Sequence, residues 1–327
     1  MQNGKRSGCD KTGDSPHVPG ARLTRRVFLA TVPAAVWAAE RVRVRHAKGD
    51  KIEFFAANRL LFAYCYSPAR PKTYIHPLCA PDSTPLTIDG PEDHVHHRGL
   101  MLAWSRVDGV DFWGETNPAP QGHGSIVLKQ LGKIRSKPVA GFSSIEYWVA
   151  EGKVYLIERR TIRVPRVAPD AVWVEWTSEL TSPAEPVTLS AEGHVYNGLG
   201  IRFARSMDGG TVLNSRGTTD IEKANGEPAA WCAYSGSMPN GKPATVAIFD
   251  HAENPRYPTP FFVMNKPFGY LSAAPTWRAP FELQPGQPLR LRYTVASFLG
   301  PPDRTRLDAV LGARLSEPAP LAGRADA

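Results

Sequence analysis

The sequence predicts a mainly β protein built as one large antiparallel β-sandwich, and three observations carry that expectation. Its 31 prolines and 28 glycines are spread through 327 residues rather than pooled, which suits many short strands separated by turns. Period-two alternation recurs along the chain, most clearly in AVWVEWTSEL, where Val172, Val174 and Trp176 alternate with Trp173, Glu175 and Thr177. No helix-period segment of useful length precedes Arg304. With 42% hydrophobic and 21% charged residues, a chain of this length can bury a large core.

The first 39 residues read as an export leader. LTRRVFLATVPAAVWAA sets Arg25 and Arg26 before an apolar run that ends in small residues, the pattern of a twin-arginine signal, so the mature protein is expected in the periplasm or outside the cell. The run is short and interrupted by Pro33, which argues against a permanent membrane span. This segment also supplies half of the formal net charge of +8. What remains holds no dense basic run and no interleaving of aromatics with cations, so a nucleic-acid partner is not expected.

Residues 40–302 are expected to form a single sandwich domain, followed over 303–327 by a short helix in DRTRLDAVLGARL and a disordered tail. KIEFFAANRLLFAYCYS reads as a hairpin around an Asn58-Arg59 turn. SSIEYWVAEGKVYLIERRTIRV, TVAIFD and LRLRYTVASFL supply further strands. Beyond Cys9 in the leader, Cys65, Cys79 and Cys232 match no metal or redox spacing; they read either as buried thiols or as one disulfide between Cys65 and Cys79.

The densest chemistry lies in PEDHVHHRGLMLAW, with DGVDFWGE just after it. In an extended strand His94 and His96 share one face and His97 takes the other. His94 and His96 are therefore candidate ligands of one divalent metal, with His194, His123 or Glu115 as the third donor. Alternatively His97 handles protons as acid or base, complemented by Glu115, Glu192 or His194, with Arg98 stabilising oxyanion charge. The plain structural alternative pairs Asp93 with Arg98 and leaves the imidazoles bonded to turn carbonyls.

Trp104, Trp113 and Trp231 are candidate stacking platforms for a sugar ring, although a strand tryptophan is more often core. Trp173 and Trp176 point to opposite faces, so at most one of them can reach a given cavity. FDHAENPRYPTPFF adds His251, Asn254 and Arg256 in a proline-rich loop, where they either bind substrate or form a turn with Arg256 paired to Asp250.

DHVHHRGLMLAW, GVDFWGE, GLGIRF, AAWCAYSG, VAIFDHAENPRYP and PFGYLSAAPTW, in this order, resemble the bacterial PmoA-like family, often labelled methane oxygenase, from about Lys51 to Gly300. The resemblance implies a galactose-mutarotase-like β-supersandwich that handles carbohydrate, with His97 and Arg98 as the nearest counterparts of a mutarotase histidine block. The expected function is an exported carbohydrate-active enzyme, with or without a metal, for epimerisation, elimination or glycoside cleavage. Its expected catalytic residues are His97, Glu115 and His194; Arg98, Trp104, Trp113, His251, Asn254 and Arg256 would bind the sugar. The rivals are a non-catalytic carbohydrate-binding protein and a copper-dependent oxygenase. The second fits poorly, because the membrane oxygenase subunit of that name is helical and polytopic whereas this chain reads as β.

Overall fold

The computed structural model describes residues 40–115, 122–191 and 193–315. The expected leader, Glu192 and the chain after Leu315 lie outside the described residues. The first strands are β1 (Val42–Ala47), β2 (Lys51–Ala56), β3 (Arg59–Cys65), β4 (Tyr74–Leu78), β5 (Leu100–Ala103) and β6 (Arg106–Val107). Next come β7 (Ser125–Leu131), β8 (Ala140–Ala150), β9 (Lys153–Ala168), β10 (Ala171–Thr181), β11 (Val187–Ser190) and β12 (Gly198–Arg202). They are followed by β13 (Thr211–Asn214), β14 (Trp231–Ser237), β15 (Pro243–Asp250) and β16 (Phe261–Met264). The last are β17 (Tyr270–Ala273), β18 (Phe281–Leu283) and β19 (Leu289–Leu299). The helices are α1 (Ile221–Ala224) and α2 (Arg304–Leu315). No helix among the described residues is long and apolar enough to cross a membrane.

Two eight-stranded antiparallel sheets form the sandwich, ordered β1-β2-β3-β4-β5-β12-β17-β16 and β13-β14-β15-β19-β10-β9-β8-β7, with β18-β11-β6 as a small third sheet. Strand parity explains why. On β9, Leu156, Glu158, Arg160, Ile162 and Val164 are buried while the residues between them are partly or fully exposed. Their apolar members pack with Phe54, Phe62, Ile75, Trp148, Trp176 and Leu291 in one core between the sheets. Such a stripe leaves the two charges among these alternating residues inside the sandwich.

The predicted hairpin forms between β2 and β3, with its turn one residue earlier than read, at Ala57-Asn58, where Ala57 has φ 51°. Trp173 and Trp176 do take opposite faces. Trp176 joins the inner core, and Trp173 packs with Trp231, Phe249 and Phe298 under Leu307 and Val310 of α2. Cys65, Cys79 and Cys232 are free thiols, so the Cys65–Cys79 disulfide does not form. The Sγ of Cys65 instead donates to the carbonyl of His76 at 3.3 Å.

Candidate functional site

On β12, Leu199 and Ile201 belong to the inner core, and the following Phe203 stacks on Tyr234 of the opposite sheet at 4.4 Å. Gly198, Gly200 and Arg202 therefore face away from the sandwich. Tyr270 of β17 stands directly across from Arg202. A Cβ at Gly200 would lie 2.1 Å from the Tyr270 hydroxyl, so glycine is what lets that ring lie over the strand. This outer face carries the histidine segment.

The segment is not a strand. The amide of His94 donates to Pro91 O and that of His97 to His94 O, both at 2.9 Å, which makes successive tight turns. Gly99 closes the excursion at φ 59°, where a Cβ would meet Ile75 O at 2.4 Å. The face alternation expected for His94, His96 and His97 is thereby overturned. All three imidazoles converge, with His94 stacked on His97 at 4.6 Å and 12°, and His96 edge-on to them at 5.5 and 4.7 Å.

Each ring has its own electrostatic setting. His94, 36% exposed, points Nδ1 at Asp93 Oδ2 across 3.1 Å, so the carboxylate orients the ring by accepting from Nδ1–H and leaves Nε2 on the far side. Burial by itself would raise the Asp93 carboxyl, but hydrogen bonds from Arg202 (2.8 Å) and His94 outweigh it and hold Asp93 at about 2. His97 is pushed down to about 2, first by burial and then by His96, His94, Arg202 and Lys72. Its Nδ1 lies 3.4 Å from Arg202 Nη1, which can only donate, so His97 is a neutral imidazole with the proton on Nε2. Burial also lowers His96, to about 4. His97, expected to act as acid or base, is thus a buried neutral ring at neutral pH.

Glu115, expected to complement His97, is paired with two cations. Its carboxylate is gripped by Arg98 through Nε at 3.0 Å and through Nη2, and by Lys72 Nζ at 2.6 Å. Burial would raise it, yet these two cations keep it below the ordinary carboxylate value, so it is a fixed anion rather than a proton shuttle. Lys72, 1% exposed, is lowered to about 8 by burial against the pull of Glu115, and it also donates to the carbonyl of His96 at 3.3 Å. Arg98 continues to Asp89 at 3.1 Å, which accepts from the Tyr74 hydroxyl at 2.9 Å. Arg98 is thus the centre of an ion network that holds the turn.

Aromatic rings complete the wall. Trp113 contacts His97 at 6.3 Å, Tyr196 at 4.8 Å and Tyr270 at 6.0 Å. Phe262 contacts Tyr196 and Tyr270, and Phe268 lies against His94 at 4.7 Å and under Arg202 at 3.5 Å. His194 joins through the Tyr196 hydroxyl, 2.8 Å from its Nδ1. The strands and turns therefore bring His94, His96, His97, Arg98, Trp113, Glu115 and His194 to one outer face.

Other candidates lie elsewhere. Trp104 is fully buried, contacts Trp148 across the core and donates to Thr276 Oγ1 at 3.1 Å; it is core, not a platform. Trp231, also fully buried, donates to Asp308 of α2 at 3.0 Å. Asn254 spends its amide on Asp250 (2.6 Å), Arg292 O (2.8 Å) and the Arg292 amide (2.7 Å). Arg256 clamps a neighbouring loop through Pro275 O (3.1 Å), Pro280 O (2.7 Å) and Ala279 O, and does not pair with Asp250. His251 accepts from the Glu253 amide at 3.2 Å. These contacts make that loop a brace.

Lys72, Arg202, Tyr196, Phe262, Phe268 and Tyr270 were missed by the sequence reading. Arg202 left a signal, a lone charge in the apolar strand GLGIRF. Lys72, beside Pro71, left none.

Among the described residues no three His, Cys, Asp or Glu side chains are arranged to hold a metal ion. Of the proposed third donors, His194 bonds the Tyr196 hydroxyl, Glu115 is held by Arg98 and Lys72, and His123 lies 3.7 Å from Asp111.

Comparison with known proteins adds little chemistry. Residues 51–312 match the model of a family described as "Family of unknown function (DUF6807)", so the PmoA label is not supported. No curated protein matches the sequence. One solved structure similar to it is "Crystal structure of beta-arabinopyranosidase", at 11% identity and a TM-score of 0.28. That match covers 79% of this chain, which spans only 38% of the arabinopyranosidase.

Proposed function

Because the chain belongs to the family of unknown function DUF6807, its chemistry must come from its own residues, and we propose that it is an exported carbohydrate-active enzyme that moves a proton on a sugar. The observation that carries this reading is the Asp93–His94 pair: a half-exposed imidazole oriented by a carboxylate at 3.1 Å and stacked on a second, neutral imidazole. Asp93 orients the ring through Nδ1, so His94 Nε2 takes a proton from a carbon beside a carbonyl and returns it. His97 supports the ring from below. The Arg98–Glu115–Lys72 network holds the turn in place, and Tyr196 and Phe262, both partly exposed, offer apolar faces to a pyranose. Arg25 and Arg26 in the leader support export.

Glycoside cleavage is the weakest of the three expected outcomes. It asks for two carboxyl groups flanking the bond, and here Glu115 is clamped and Asp93 is committed to Arg202 and His94. Epimerisation or elimination needs only the base.

The test is proton exchange. Incubation in heavy water with a panel of free and oligomeric sugars should put deuterium at one ring carbon, and His94→Ala should slow that exchange by roughly 100-fold or more with little change in melting temperature. Exchange that survives in His94→Ala would refute the assignment. Sugar binding with no exchange in the wild type would instead favour a carbohydrate-binding protein.

A further inference from the structure

Three side chains beside His97 carry buried donors with no acceptor in the protein: Arg202 Nε, the indole Nε1 of Trp113 and the hydroxyl of Tyr270. Each residue is at most 3% exposed. They are neighbours. Arg202 Nη1 is 3.4 Å from His97 Nδ1, while the Tyr270 and Trp113 rings lie 5.2 and 6.3 Å from the His97 ring and 6.0 Å from each other. Buried polar groups are nearly always paired, with protein, water or ligand, so three such donors gathered around one imidazole call for a shared partner.

Arg Nε and indole Nε1 can only donate, so whatever satisfies them must bring lone pairs. A carboxylate brings two oxygens, accepts from several donors at once, and binds charged donors more strongly than a hydroxyl does. Arg202 brings a permanent positive charge to this wall; Asp93 takes its Nη2 at 2.8 Å, and its Nε remains without an acceptor in the protein. We infer that these donors receive the carboxylate of an acidic sugar, so that the site takes a uronate rather than a neutral hexose.

This inference rests on the proton transfer proposed for His94, and it gives that step its chemistry. With the carboxylate neutralised by Arg202, Trp113 and Tyr270, the C5–H bond beside it becomes acidic. His94 Nε2 takes the C5 proton, the C–H electron pair moves into the carboxylate as an enediolate, and the proton, exchanged with solvent, returns from His94 to C5 to restore the sugar, or water protonates the opposite face to give the epimer. No oxidant or further reactant is required.

The test pairs an oligogalacturonate with its carboxyl-reduced form, titrated calorimetrically into the full-length protein. The acidic form should bind roughly ten-fold tighter or better, and Tyr270→Phe and Trp113→Phe should each weaken that binding by roughly ten-fold. Tyr270→Phe should melt at or above wild type, because it deletes an unsatisfied hydroxyl. Equal affinity for the two forms, or no binding of the acid, overturns the inference. So does a Tyr270→Phe variant that melts lower yet binds the acid normally, which would put a buried water on that hydroxyl. Deuterium exchange on neutral sugars that depends on His94 would leave the proton-transfer reading standing while this one falls; absence of exchange on every sugar sinks both.

Discussion

Replacing Glu146 by glutamine should stabilise the protein above neutral pH and change it little at about pH 5. Between the sheets, fully buried Arg160 forms a two-point ion pair with Glu158 (2.7 and 2.8 Å) and donates to the Tyr64 hydroxyl (2.9 Å) and Thr73 Oγ1 (2.7 Å). Glu158 also accepts from Ser178 (2.5 Å) and Trp148 Nε1 (3.0 Å). Glu146 is the surplus carboxyl. Its Oε1 accepts from Tyr64 and from Ser144 at 2.9 Å, its Oε2 has no partner, and Arg160 is 4.0 Å away.

Burial, and then the nearby Glu158 charge, push Glu146 up to about 7 against the opposing pull of Arg160. The folded carboxyl thus keeps its proton where the unfolded one, near 4.5, has lost it. Folded Glu146 binds more protons across that window, so stability falls as pH rises from about 4.5 through 7, by about 3 kcal/mol in all. Glutamine mimics the protonated form and removes this loss. Thermal melts of wild type and Glu146→Gln at about pH 5 and pH 8.5 should nearly coincide at the first and separate by roughly 5–10 °C, variant higher, at the second. A variant less stable by the same amount at both pH values would refute the reasoning. Glu158→Gln, which leaves Arg160 buried without its carboxylate, should cost about 3–5 kcal/mol at either pH.

Glu115→Gln should cost about 2–4 kcal/mol by denaturant melts, because buried Lys72 and Arg98 lose their shared anion; an unchanged midpoint would show that the network does not hold the turn. The thiols should be inert in the native protein, since burial raises Cys65 to about 11 and Cys79 to about 12, and Cys232 still further. Thiol titration should therefore be slow until denaturant is added, then count all three together with Cys9 if the leader is present; fast native labelling would contradict the burial.

Some of the interior chemistry is legible in the strand pattern. Glu146 shares strand parity with Phe142 and Trp148, and Glu158 and Arg160 share it with Leu156 and Ile162, so charges in an apolar stripe were visible in SSIEYWV and LIERRTI. What no local pattern could show is their pairing: Arg160 meets Thr73 across 87 positions, and Glu146 meets Tyr64 across 82. The same limit applies at the site, where Arg202 reaches Asp93 over 109 positions. The platform expected of Trp104 fails for a related reason, since a tryptophan's residue type is compatible with core and surface alike and only its neighbours Trp148 and Thr276 decide.

By itself the sequence determined the fold class, the hairpin at Ala57-Asn58 to within one residue, and the opposed faces of Trp173 and Trp176, because each follows from side-chain alternation and turn chemistry within a few residues. Tertiary structure alone decided that His94, His96 and His97 converge, that Glu115 is held by two cations, and that the exposed imidazole is His94 rather than His97. Burial and partner choice set the charge state of each group, and both depend on strands that meet only once the chain has folded.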